Sequence, residues 1–208
     1  MEKHQETAVS QMRKSVEKLG SSTQNYGAPT LLRFLIARRM DPEKAAKMFV
    51  QWQNWRAEFV PLGFIPESEI PDELNARKIY LQGLSKDGHP VLIIKASKHL
   101  PSKDHLQLKR FVVHLLDKTI ASSIRGREIG NEKLIGILDL QQITVKNIDA
   151  RALITGFQFL QIVIVTNEKE RKAFIMEIGE DTLPEEYGGK AKLVALQDVK
   201  LSHSPSQN

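Results

Sequence analysis

No cysteine occurs among the 208 residues, which excludes a disulfide framework and any thiolate-bound metal. No stretch approaches the roughly 18 consecutive apolar residues of a membrane-spanning helix. The polar start, Met1-Glu2-Lys3-His4-Gln5-Glu6, has no apolar run behind it, so a secretory signal is not expected. There is no Asn-x-Ser/Thr sequon, no phosphate-cradling glycine loop ending in Lys-Ser or Lys-Thr, and no dinucleotide glycine pattern. The nucleophile elbow Gly-x-Ser-x-Gly is missing as well. The histidines (His4, His89, His99, His105, His114 and His203) never take the spacing of a zinc pair on one helix, and His105 and His114, nine residues apart on one helix, read as surface residues. Carboxylates are plentiful, but no spacing nominates an acid–base pair. The sequence therefore offers no residue for an enzyme, no metal site and no cofactor.

What remains is an ordinary globular balance, 41% hydrophobic and 26% charged. A chain of this length buries roughly 70% of its unfolded surface and needs no covalent staples. The net charge of +5 is spread along the chain. It is compatible with nucleic acid, an anionic lipid surface, or a plain solvated exterior. Nucleic acid is not expected, because basic and aromatic residues do not interleave on strands. The denser stretch from Lys98 to Arg110, with Lys98, Lys103, Lys109 and Arg110, lies beside an apolar helix. It reads either as a membrane-facing basic cluster or as a solvated helix end.

Hydrophobic periodicity divides the chain in two. Val9, Met12, Val16 and Leu19 mark a helix over 5–19, and Gly20 can close it. Thr30 can cap a short helix over 31–40. Asp41-Pro42 then starts another, whose aromatic stripe (Phe49, Trp52, Trp55 and Phe59) reads as core. A linker rich in proline follows over 61–76. Beyond it the period shortens to that of strands, over 77–82 and 91–96. Asp87-Gly88 turns between them, and Pro90 fits only an edge or the first strand position. A long amphipathic helix is expected over 102–124, with Phe111, Val112, Leu115, Leu116, Ile120 and Ile124 as its buried face. The apolar run over 133–140 suits a strand covered on both faces. A helix over 147–161, a strand over 162–165, a helix over 167–178 and a disordered tail complete the pattern. The fold class is α/β: an N-terminal helical lobe over 1–60, the linker, a partly parallel sheet flanked by helices over 77–198, and a tail over 199–208.

One junction is physically odd. The helix ending in Phe159-Leu160-Gln161 runs directly into Ile162-Val163-Ile164-Val165, with no capping or turn residue between them. Either the last helical turn unwinds into a loop, or two segments that normally lie apart are joined here.

Four strings, taken in order, resemble the CRAL-TRIO family of lipid-binding proteins, of the phosphatidylinositol-transfer type. They are the stretch from Leu31 to Asp41 with Lys44-Ala45-Ala46 and Trp55-Arg56; Lys86-Asp87-Gly88-His89-Pro90-Val91; Ile137-Leu138-Asp139-Leu140; and Leu183-Pro184-Glu185-Glu186-Tyr187-Gly188-Gly189. The resemblance spans about residues 10 to 195. It implies a mixed sheet whose flanking helices enclose an apolar slot for one phospholipid or another small hydrophobic ligand. It also implies phosphatidylinositol transfer, a monomer, and a cytoplasmic protein that touches membranes transiently. Arg38 matches a headgroup-contacting position, and a surface or inter-lobe ion pair is an equal reading of it. Asp139 reads as a strand-end cap rather than a lipid ligand. Members of the family carry a Tyr-Pro-Glu-Arg string, a strand and a gating helix after the helix that ends here at Gln161. None of these is present, so the resemblance itself points to an internal deletion at Gln161/Ile162, as in a splice variant. The expected sheet lacks one strand and the gate, and transfer is expected to be weak or lost. The rival expectation is a membrane-surface or protein interaction module that encloses no lipid.

Overall fold

The computed structural model describes residues 3–101, 104–121, 134–149 and 167–199. They divide into two compact units, one formed by residues up to Phe64 and one from Ile65 onward.

The first unit is helical. Helix α1 (Lys3–Lys18) packs on α2 (Ala28–Ala37) and α3 (Pro42–Phe59). Met12, Val16, Leu31, Leu35, Ala45 and Phe49 are wholly buried at the seam, as the three- and four-residue spacing predicts. The aromatic stripe is core over its first half only. Tyr26 and Phe34 meet Phe49 edge to face, 5.0 and 5.2 Å between centroids. Trp55, in contrast, is exposed and stacks on Phe59. Thr30 is not the cap of α2. The helix begins earlier, after an extended Gly27, because Pro29 in the first turn needs no partner for a missing N–H. Asp41 does cap α3, accepting from the Glu43 and Lys44 N–H groups at 3.1 and 3.0 Å. Arg13 braces the connecting loop by donating to the Thr23 and Tyr26 carbonyls, both at 3.1 Å.

Among the described residues, the second unit is built on a three-stranded sheet in the order β1 (Ile79–Leu84), β2 (Pro90–Lys95), β3 (Ile135–Asp139). β1 and β2 are antiparallel and β2 and β3 parallel, the mixed sheet expected. The hairpin turns at Gly88, whose φ of 79° suits glycine, and Pro90 opens β2 where no ladder donor is needed. The proline-rich stretch is more than a spacer. It holds the short helix α4 (Pro71–Asn75), and Ile65, Ile70 and Glu73 within it are buried.

Helix α5 (His105–Thr119) starts at Asp104, which accepts from the Leu106 and Gln107 N–H groups. Its buried side is Gln107, Phe111, Leu115 and Thr119. Val112, Leu116 and Ile120, expected in the core, are exposed instead. The cause is polar: the Gln107 amide oxygen accepts from the Asp72 N–H at 2.8 Å and its nitrogen donates to the Asp72 carboxylate, which turns that side of α5 toward α4. Helix α6 (Glu168–Ile178) is capped by Asn167 and stops at Gly179, both as read from the sequence. The expected helix over 147–161 is preceded by a 3-10 turn, Val145–Asn147, with residues 148 and 149 irregular. The rest of that helix, the strand over 162–165, the Gln161/Ile162 junction, Ile124, Lys103 and the tail from 200 lie outside the described residues.

Candidate functional site

The two faces of the sheet differ in what covers them. On one, Tyr80, Val91, Ile93, Ile135 and Ile137 pack against Phe174, Ile178, Leu183, Tyr187, Leu193 and Ala195. The C-terminal segment folds back to do this, and it runs beside β1, where Leu81 donates to the Val194 carbonyl at 3.0 Å. On the other face, parallel pairing sets Leu92 beside Gly136 and Ile94 beside Leu138. Ile79, Leu81 and Leu92 are buried there, but Leu138 is 42% exposed. Above Gly136 there is open space, with nothing within 4 Å of where a Cβ would stand. β3 is therefore not covered on both faces among the described residues. An apolar surface stays open at its outer end, and α5 adds a second exposed apolar stripe through Val112, Leu116 and Ile120. Apolar side chains left exposed together in this way are candidates for a ligand or contact site.

Polar groups gather at the strand ends. The Lys78 ammonium and the Glu73 carboxylate pair where both side chains are almost fully buried, and Lys78 also lies over the Phe111 ring. Lys78 Nζ stands 2.9 Å from His99 Nδ1, and His99 Nε2 stands 3.4 Å from Asp149 Oδ2. An ammonium can only donate, so His99 Nδ1 accepts and the ring proton sits on Nε2, facing Asp149. At the C-terminal ends of β2 and β3, Lys95 pairs with Glu186 at 2.7 Å and the Tyr187 hydroxyl donates to Asp139 at 2.6 Å. Burial first, then the Asp139 carboxylate, holds the Tyr187 phenol protonated far above its ordinary range. The second Asp139 oxygen accepts from the Gln141 N–H, so Asp139 is the strand-end cap the sequence suggested.

The residues singled out from the sequence do not form one group. Arg38 lies in the helical unit, exposed at the end of α2, where it donates to the Ala37 carbonyl and lines a shallow depression with Arg39, Asp41 and Lys44. Arg39 and Met40 both take positive φ there, 54° and 62°, as the helix closes. Lys98, Lys109 and Arg110 lie in the sheet unit with different surroundings. Lys98 donates to the Tyr80 hydroxyl at 2.5 Å, Arg110 pairs with Glu69 at 3.1 Å, and Lys109 is exposed. The Glu73–Lys78–His99–Asp149 chain went unread in the sequence. Its members sit at spacings with no helical or strand period, and only their burial shows that they belong together.

Comparison with known proteins places the sheet unit. Residues 74–163 match the CRAL/TRIO domain. The phosphatidylinositol/phosphatidylcholine transfer protein SFH4 of Arabidopsis thaliana is 31% identical over 142 residues, covering 62% of this chain and 23% of that protein. The Sec14 cytosolic factor of Schizosaccharomyces pombe is 33% identical over 92 residues, 43% of this chain and 32% of that protein. A second Arabidopsis thaliana transfer protein of the same description, SFH12, is 30% identical over 142 residues, 62% of this chain and 26% of its own length. The matched stretches thus span less than a third of each of these relatives. The mixed sheet, the hairpin at Gly88 and the position of α5 between β2 and β3 agree with this match, and residues 74–163 are similar to the CRAL/TRIO domain.

Proposed function

We propose that this chain binds a phospholipid, phosphatidylinositol among the candidates, with its acyl chains on the apolar face that stays open above Gly136 and beside Leu138. That open face is the observation that carries the reading. Each methylene removed from water there contributes about 0.8 kcal/mol, enough in sum to hold a lipid outside a bilayer. The phosphatidylinositol and phosphatidylcholine transfer for which the relatives are named points the same way. On this reading the protein acts as a monomer in the cytoplasm, visits membranes transiently, and works by carrying rather than by chemistry. It needs no cofactor beyond the lipid.

The chain is a shortened member of its family, and its transfer activity is weak or lost. The family match ends at residue 163, two positions past the Gln161/Ile162 junction, after which the resemblance leads one to expect a further strand and gating helix; this supports the reading of a deletion there. Without a gate, lipid on the open face is exposed to water and exchanges without being sheltered in transit. A second reading is favoured by the same openness: the surface docks on a membrane or a protein and encloses no lipid.

Mass spectrometry of lipid extracted from the purified full chain separates the two readings. Phospholipid at a one-to-one ratio supports the carrier, and folded protein free of lipid supports the docking module. Vesicle-to-vesicle transfer at a rate typical of full-length relatives would overturn the weakened-transfer part.

A further inference from the structure

The loop after β3 presents four apolar side chains to solvent within nine residues: Leu140, Ile143, Val145 and Ile148. Val145 is 85% exposed, the most of any large apolar residue described. Folding leaves these groups outside the core although the loop around them is firmly held. Asn147 uses its whole amide: its oxygen accepts from the Thr144 N–H at 2.7 Å, and its nitrogen donates to the Ser97 and His99 carbonyls, both at 2.9 Å. Asp139 fixes the loop's first turn through the Gln141 N–H.

The charges nearby favour an anionic partner. Lys146 is exposed between Val145 and Asn147, whereas Lys98, on the 3-10 turn that packs against this one, is turned back to the Tyr80 hydroxyl. The acidic residues at the loop's two ends face inward, Asp139 to Tyr187 and Asp149 to His99. The outward surface is thus apolar tips with the Lys146 cation among them. A specific protein interface takes about 800 Å² per partner, more than four side chains on a protruding loop provide. A bilayer interface accepts such tips singly, while anionic headgroups pair with Lys146.

We propose that the loop from Leu140 to Ile148 is a membrane-docking element that seats Val145 and its apolar neighbours among the headgroups of an anionic bilayer, with Lys146 on the phosphates. This rests on the membrane contact in the proposed function and names the surface that makes it.

The absence of cysteine gives a direct test. An environment-sensitive fluorophore is attached to Val145→Cys in the full chain, and to Lys172→Cys on α6 as a control. Vesicles of phosphatidylcholine, with and without phosphatidylserine, are then added. The expected result is a blue shift at position 145, quenched by brominated acyl chains and stronger with phosphatidylserine, and none at 172. Val145→Asp is expected to lower vesicle partitioning about tenfold with an unchanged circular dichroism spectrum. Protein that sediments with vesicles while the probe at 145 stays in water would overturn the loop assignment and leave the membrane contact standing. Failure to sediment with any vesicle would overturn both, and co-purifying lipid would still be judged separately.

Discussion

The Tyr187 hydroxyl donates to the Asp139 carboxylate across 48 residues of chain, which ties the C-terminal turn to the end of β3. Tyr187→Phe removes the donor and leaves a half-buried carboxylate oxygen short of a partner. The expected loss is about 1 to 2 kcal/mol in chemical denaturation, with Asp139→Asn costing less because an amide oxygen can still accept. The same bond sets a pH dependence. The folded phenol titrates above its ordinary value of 10.0, so its contribution is intact below that pH and is lost as pH rises beyond it. Wild-type stability should fall more steeply above pH 10 than that of Tyr187→Phe, as read by thermal melts.

Lys78 and Glu73 form an ion pair with almost no exposed side-chain surface. Removing one partner strands the other charge in the interior. Lys78→Met or Glu73→Leu alone is expected to cost about 3 to 5 kcal/mol. The double variant should recover much of that loss, since neither charge is then left unpaired, although His99 has still lost its donor. A double-mutant cycle from urea melts measures the coupling. Additive losses would show that the two side chains act independently.

Gly189 has no room for a side chain. A Cβ there would stand 1.8 Å from the Leu183 carbonyl oxygen and 2.8 Å from that of Glu180, both backbone atoms that no rotamer change can move. Gly189→Ala is expected to destabilise by at least about 3 kcal/mol, whereas Gly83→Ala, with nothing within 4 Å, should stay within about 0.5 kcal/mol. Comparing the two denaturation midpoints checks this.

Gly136 tests the lipid site without threatening the fold. A larger residue there meets open space on the face proposed for acyl chains. Gly136→Val should leave the denaturation midpoint unchanged or raised, since a β-branched residue suits a strand. It should also reduce co-purifying phospholipid severalfold. Unchanged lipid content in this variant would place the acyl chains elsewhere.

Much of the fold was legible because it depends on local rules. Asp41 and Asn167 cap their helices, Gly179 ends one, and Asp87-Gly88 turns the hairpin, since each residue acts on backbone groups a few positions away. The seam of the helical unit followed from the spacing of Met12 and Val16. Periodicity misjudged α5, because it marks Val112 and Leu116 as apolar but cannot show that Gln107 turns the adjacent side inward to bond with Asp72. It also read β3 as covered on both faces, since Ile135, Ile137 and Leu138 are equally apolar in sequence while, among the described residues, only the side bearing Ile135 and Ile137 receives a covering segment.

By itself the sequence determined the fold class, the order of the described strands and helices and the family resemblance, because these follow from hydrophobic period, capping chemistry and short strings read along the chain. Only the tertiary structure decided which apolar side chains are covered and which face water. The contacts that settle it join distant residues: Tyr187 to Asp139, Lys78 to His99, and Asn147 to the Ser97 carbonyl. The exposure of Leu138 and Val145, on which the candidate site rests, comes from how those separated segments pack, and no local pattern encodes it.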